Sequence, residues 1–231
     1  MTALEVLFED HHLLVMNKPA PLLTQAPEGV PSLEALAKAY LKEKYAKPAG
    51  VYLAVPHRLD RPVSGVICLV RNTKAAQRIQ AQFEGRSVVK TYWAGVEGTP
   101  RPGEWEDWIR KVPEQPRAVP AEPHELGAKR ATLTCRLLEN GLLELTPQTG
   151  RMHQLRVQCA WRGSPVRGDV LYGSTLSFGP PAESPREAVI ALHARSLELT
   201  HPFTGHRLKF EAPLPDYWQN HQSKESHAAG V

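Results

Sequence analysis

The stretch ATLTCRLLENGLLELTPQ, residues 131–148, consists of two apolar runs on either side of Asn140-Gly141. Asn and Gly both tolerate positive φ angles, so this pair predicts a two-residue type I′ turn closing an antiparallel hairpin. Working outward, SVVKTYWAGV (87–96) reads as a strand, and VYLAV (51–55) and GVICLV (65–70) read as strands flanking PHRLDRPVS (56–64). The two prolines and polar residues of that last segment argue for a loop. Near the start, Leu4, Val6 and Phe8 alternate and LLVMN (13–17) follows, giving two short strands about a turn at Asp10-His11. Near the end, ALHARSLELT (191–200) and HRLKFEAP (206–213) form a second hairpin about the turn between Pro202 and Gly205.

Three segments have helical periodicity. SLEALAKAYLKEKY (32–45) puts Leu33, Leu36, Ala37, Tyr40 and Leu41 on one face behind Ser32 as cap. KAAQRIQAQF (74–83), with Thr73 as cap, aligns Ala75, Ile79 and Phe83 and stops at Gly85. MHQLRVQCAWR (152–162) has helical composition, starting at Thr149-Gly150 and ending at Gly163. Six prolines in residues 99–123 predict a surface excursion without regular structure, and 179–185 a second Pro-rich loop. The polar residues 220–231 read as a disordered tail, leaving 1–219 as the folded domain. Hairpin-linked strands with interspersed helices give an α+β domain with a largely antiparallel sheet and flanking helices.

Composition narrows the class. The 231 residues are enough to bury a core, and the three cysteines, odd in number and without a C-x-x-C, exclude a disulfide framework and a zinc ribbon. The opening MTALEVLFED is not a signal peptide, and no run approaches the length of a spanning helix, so a soluble cytoplasmic protein without a membrane partner is expected. The net charge of +4 is unevenly spread. Between Arg58 and Lys90 seven bases face two acids, and between Arg151 and Asp169 four arginines face one acid, so these two segments carry +8 and the remainder −4. Such an excess suits a polyanion-binding face, although solvated helix faces would give the same count.

Three local patterns could carry chemistry. In HRLDRPVSG (57–65) Asp60 lies between Arg58 and Arg61 on the interstrand loop; a carboxylate between guanidinium groups is held ionised, as a nucleophile must be, though a loop salt bridge has the same spacing. In TGRMHQLRVQCAWRGSPVRGD (149–169), Arg151, His153 and Gln154 at a helix start suit phosphate and ribose, and a solvated amphipathic helix is the alternative. In KTYWA (90–94), Lys90 and Tyr92 share one strand face. A tyrosine there is ordinarily core, but the neighbouring lysine hints at a polar surface.

Together, in this order, these motifs resemble the RluA-type pseudouridine synthase family from about residue 4 to residue 214. VLFEDHHLLVMNKPAPLLTQ is similar to that family's first motif, HRLDRPVSG to its catalytic motif, KTYWA to its tyrosine motif, TGRMHQLRVQCAWRGSPVRGDVLYG to its third, and ALHARSLELTHPFTG to its terminal signature. Val63 departs from a frequent Thr. The resemblance implies the pseudouridine synthase catalytic fold with a central active-site cleft, here as a stand-alone domain without the small N-terminal RNA-binding domain of many relatives. It implies isomerisation of a uridine within RNA, breaking N1–C1′ and making C5–C1′, with no metal or cofactor.

The resemblance also assigns roles. Asp60 would be the nucleophile, on C1′ or on C6. Tyr92 would pack on the target base, Arg156 would pair with the aspartate, and Arg58 would fill the space left by the flipped nucleotide. Base flipping is also required on physical grounds, because a stacked uridine exposes neither ring face to a side chain. A loop of ribosomal or transfer RNA is therefore the expected partner, bound by a monomer without an obligate protein partner. Lys18, Arg61, Lys90, Arg151, His153, Gln154 and Arg167 are the candidates for RNA contacts. The alternative is an RNA-binding or RNA-chaperone protein that keeps the fold without the chemistry. A metal-dependent hydrolase is disfavoured, since the 10 His include no H-E-x-x-H.

Overall fold

The computed structural model describes residues 4–46 and 50–221. In chain order the strands are β1 (Glu5–Glu9), β2 (Leu13–Lys18), β3 (Ser64–Val70), β4 (Val89–Ala94), β5 (Gly103–Lys111), β6 (Ala118–Ala121), β7 (Lys129–Leu137), β8 (Leu143–Pro147), β9 (Leu192–Thr200) and β10 (Arg207–Glu211). The α-helices are α1 (Leu33–Lys44), α2 (Thr73–Glu84) and α3 (Gln154–Trp161). The chain divides into two compact units, one running to Lys90 and resuming over Ala194–Leu214, the other covering Thr91–His193 and resuming at Pro215. Every strand pair with a described register runs antiparallel.

In the first unit β2 lies between β1 and β3, with Leu13 opposite Val70 and Lys18 opposite Gly65. All seven residues of β3 are buried, as a central strand of apolar and β-branched residues requires. Its other neighbour is β9, which also pairs β10. Gly65 is the residue that permits the approach. It has φ +117°, and a Cβ there would stand 2.3 Å from the Ala194 carbonyl oxygen.

Helix α1 begins as its sequence predicts, with Ser32 Oγ accepting from the Ala35 N–H at 3.2 Å. Leu33, Ala37 and Leu41 are buried, while Leu36 lies off the packed stripe and is exposed. Helix α2 is capped by Asn72 rather than Thr73; the Asn72 amide oxygen accepts from the Ala75 N–H at 2.9 Å, and Thr73 becomes the first helical residue. The strand expected over 51–55 does not form. Only Ala54 pairs with β3, exchanging two bonds with Val70 (2.8 and 2.9 Å), because the next free β3 donor, the Cys68 N–H, is taken by a side chain, His57.

In the second unit the order is β4-β8-β7-β5-β6. The expected loop over 99–123 contains the β5–β6 hairpin. Its prolines sit where a sheet tolerates them: before β5, in the connection, and at Pro120 on the edge strand β6. Trp105 and Ile109, on the same face of β5, supply the burial. The hairpin at 131–148 forms, with a different turn. Leu138 accepts from the Gly141 N–H (3.0 Å) and donates to Leu142 (2.8 Å), and Gly141 alone takes the positive φ, 78°. This is a longer loop ending in a glycine bulge rather than a type I′ pair.

Helix α3 starts at Gln154, later than expected, after His153 in the left-handed region (φ 50°). Its Val157 packs with Ile109, Ala118 and Ala131. Asn220 and His221, the first two residues of the tail expected over 220–231, belong to a short 3-10 turn, Asp216–His221; residues 222–231 lie outside the described residues. Cys68, Cys135 and Cys159 are buried free thiols, and no helix among the described residues is long and apolar enough to cross a membrane.

Candidate active site

Asp60 sits half-buried in the first unit, on a loop anchored from both ends. At the entry, His57 Nε2 accepts from the Cys68 N–H at 2.9 Å, and the ring stacks on Phe83 at 4.8 Å. The imidazole thus takes the place of a strand against β3. Burial pushes its pKa down to about 3, with the Lys90 charge acting the same way, so it stays the neutral acceptor this bond needs. Next to Asp60, the buried Thr24 hydroxyl donates to the Leu59 carbonyl (2.8 Å) and accepts from the Leu59 N–H (3.1 Å). On the other side the Arg61 carbonyl accepts from the Leu22 N–H (3.1 Å), and Val63 N–H closes a turn onto the Asp60 carbonyl (3.1 Å). The first motif is therefore the scaffold of the second.

Lys18 belongs to that scaffold. Its side chain is fully buried and its ammonium donates to the carbonyls of Leu22 (2.7 Å), Pro19 (3.1 Å) and Arg61 (3.4 Å). All three donors of an ammonium are then used, so the phosphate contact expected of Lys18 has neither access nor a free N–H. Burial lowers its pKa to about 7, against the opposing pull of the Asp60 charge. Arg58 is exposed and Arg61 half-buried. Lys90 is half-buried on β4, its pKa lowered by burial.

The second unit holds the other candidates. Tyr92 is half-buried on β4, opposite Leu145 of β8. Arg156 is buried on α3 and forks onto Asp169, Nε to Oδ2 at 2.6 Å and Nη2 to Oδ1 at 2.8 Å. Its guanidinium lies 4.9 Å from the centre of the Tyr172 ring. The Tyr172 hydroxyl in turn meets His153 Nδ1 (2.8 Å) and the N–H and carbonyl of Ala118. Gly168, with φ +84° and no room for a Cβ beside the Val189 carbonyl oxygen, sets the chain up for Asp169.

Several RNA candidates here have internal work. Gln154 is buried, its amide oxygen accepting from Thr149 and from the Arg151 N–H and its amide donating to the Thr132 carbonyl. A direct RNA contact does not fit that placement. Arg151 Nε donates to the Arg130 carbonyl and Arg167 Nε to the Val96 carbonyl. Sequence reasoning missed Thr24, His57, Asp169 and Tyr172 as site-building residues. Each stands inside a quoted motif, but its partner lies 11 to 54 residues away, beyond local pattern.

Residues 12–161 match the model of the RNA pseudouridylate synthase family. Ribosomal large subunit pseudouridine synthase D of Pseudomonas aeruginosa is 33% identical over 92% of this chain and 69% of its own length. The tRNA pseudouridine synthase C of Salmonella typhi is 34% identical over 93% of this chain and 87% of its own. Among solved structures, human RNA pseudouridylate synthase domain containing 4 superimposes with a TM-score of 0.75 at 26% identity, over 94% of this chain and 92% of that one. The loop around Asp60 and the start of α3 both fall inside the matched span, and the chain belongs to the RNA pseudouridylate synthase family, isomerases that convert uridine in RNA to pseudouridine.

Proposed function

We propose that Asp60 is the nucleophile of this isomerisation, acting on a uridine flipped out of a loop in ribosomal or transfer RNA. The observation that carries the reading is the anchoring of the backbone on both sides of Asp60 by Thr24, Leu22, Lys18 and His57, which fixes the carboxylate's starting point. Attack on C1′ displaces the base by breaking N1–C1′, and attack on C6 adds the carboxylate to the ring before the same bond breaks; the base then rotates, C5 bonds to C1′, and the bond to Asp60 is released. Loss of the C5 proton and protonation of N1 complete a reaction whose product has the composition of its substrate, so no oxidant, reductant or second substrate is consumed. Tyr92 packs on the base, Arg156 supplies positive charge, and Arg58 fills the flipped nucleotide's place. Arg61, Lys90, Arg151, His153 and Arg167 contact RNA.

Residues 1–219 act as the catalytic domain, as a monomer in the cytoplasm and without an obligate protein partner. The two named relatives act on ribosomal large-subunit RNA and on tRNA, which supports both substrate classes. The test is tritium release from C5-labelled uridine in mixed ribosomal and transfer RNA lacking pseudouridine. Release by the native chain and none by Asp60→Ala or Asp60→Asn, with RNA binding retained, is expected; turnover by either variant overturns the nucleophile. Release equal to native by Tyr92→Phe would leave that tyrosine a packing role only.

A further inference from the structure

The turn at residues 10–12, the first half of helix α2 and the turn at 201–206 meet within the first unit. Phe203 is 43% exposed, a large apolar ring left in solvent. His12 stacks on it at 4.0 Å and 19°, and the Arg78 guanidinium carbon stands 4.4 Å from its centre. Two groups that close to one ring centre occupy opposite faces, so Phe203 is clamped between an imidazole and a cation. Arg78 is held further by donating to the Pro202 carbonyl at 2.7 Å, which leaves four N–H groups unspent on it. His12 Nδ1 accepts from the Asn72 amide at 2.9 Å, which makes Nε2 its donor.

The surroundings are positive. Lys74 lies one turn before Arg78 on the exposed side of α2, and the only acid of that helix, Glu84, accepts from Gln80. Asp10 is occupied by the His12 and Leu13 N–H groups and by His201, and Glu9 by Lys44, Arg71, Tyr40 and Tyr45. Oriented cations beside exposed aromatic rings, with the nearby carboxylates already engaged, match single-stranded RNA. Its phosphates attract the cations, and its bases stack on rings and guanidinium planes.

We propose that this ledge is a second RNA contact, at which Lys74 and Arg78 take backbone phosphates of a single-stranded segment while the His11-His12 turn and the rim of Phe203 meet a base. The inference rests on RNA being the substrate and not on the chemistry assigned to Asp60.

The test is the affinity of the full chain for a fluorescein-labelled oligouridylate of about twenty nucleotides, measured against salt concentration. Each phosphate contact on a single strand contributes about 0.7 to the slope of log affinity against log salt. The double variant Lys74→Gln/Arg78→Gln, whose side chains are exposed and whose fold circular dichroism would verify, is expected to flatten the slope by about 1.4 and weaken binding severalfold. Phe203→Leu should weaken binding without changing the slope. The single-turnover rate at saturating RNA should be unchanged in the double variant. An unaltered slope overturns the proposal, as does a fall in that rate, which would place these residues in the chemistry. Polyglutamate bound with the same dependence on Lys74 and Arg78 would show a general polyanion surface and remove RNA as the occupant. Should the native chain release no tritium while the slope difference persists, the Asp60 reading fails and the ledge stands.

Discussion

Around Asp60 the first unit holds its chain mainly by peptide groups: Leu59, Arg61, Val63 and Cys68 all engage through backbone atoms. Around Arg156 the second unit does the reverse, with a guanidinium forked by the Asp169 carboxylate and covered by the Tyr172 ring. Apart from His57, backbone anchoring rests the shape of the loop on peptide groups that a side-chain substitution leaves in place. Side-chain anchoring makes Arg156 depend on the identity of one or two partners. The first arrangement should therefore spread the effect of a substitution over several bonds, whereas the second should concentrate it.

The sharpest way to break this contrast is Asp169→Ala. Deleting one partner of a buried ion pair typically costs about 3–5 kcal/mol, so a large fall in melting temperature and in turnover is expected. The double variant Arg156→Met/Asp169→Leu should recover much of the stability and none of the turnover. If Asp169→Ala melts and turns over like the native chain, the fork is dispensable and the contrast fails. A smaller effect is expected from Thr24→Val, which keeps the volume and removes both bonds to Leu59, at about 1–3 kcal/mol. Turnover should drop with the RNA KM little changed, and Thr24→Ser should restore it. An equal defect in both variants would assign Thr24 to packing rather than to loop position.

The same contrast explains what the sequence could and could not disclose. Strands β2, β3 and β7 to β10 were legible because burial of one or both faces writes a period into adjacent residues. The β5–β6 hairpin was hidden by prolines, whose density marks a loop unless one knows that they fall at margins and on an edge strand. Residues 51–55 have strand composition and yet make one bridge, because the competing acceptor, His57, is set by tertiary position. Among the candidate site residues, Asp60 and Arg156 stood out as charges in ordered motifs. Lys18 was misjudged as a phosphate ligand, since nothing local distinguishes a solvated lysine from one whose ammonium is enclosed by three carbonyls.

That enclosed ammonium gives a pH signature. Lys18 has a native pKa of about 7, well below its ordinary 10.5, so between those values the unfolded chain binds more protons than the native one. Stability attributable to this group must then rise with pH from about 7 to about 10.5 and be flat outside the window. Lys18→Met should abolish that rise in denaturant titrations taken across the range, while losing about 1–2 kcal/mol at neutral pH through the three freed carbonyls. A native chain without the rise would mean that the ammonium is solvated rather than enclosed.

The smallest effect expected lies in the first unit but away from the Asp60 loop, at Glu9. Burial would raise its carboxyl, but hydrogen bonds from Lys44, Tyr45 and Tyr40 prevail and bring it down from 4.5 to about 2. A depressed carboxyl stabilises the fold above its unfolded pKa and ceases to do so as pH falls through its native one. Glu9→Gln should therefore cost about 1 kcal/mol at pH 7, with the difference from the native chain shrinking between pH 4.5 and pH 2. Turnover should be untouched, because Glu9 ties α1 and Arg71 to β1 and has no bond to the Asp60 loop among the described residues. A loss of turnover in Glu9→Gln at unchanged stability would show that strain at β1 reaches the loop, and that its backbone anchors are softer than their number suggests.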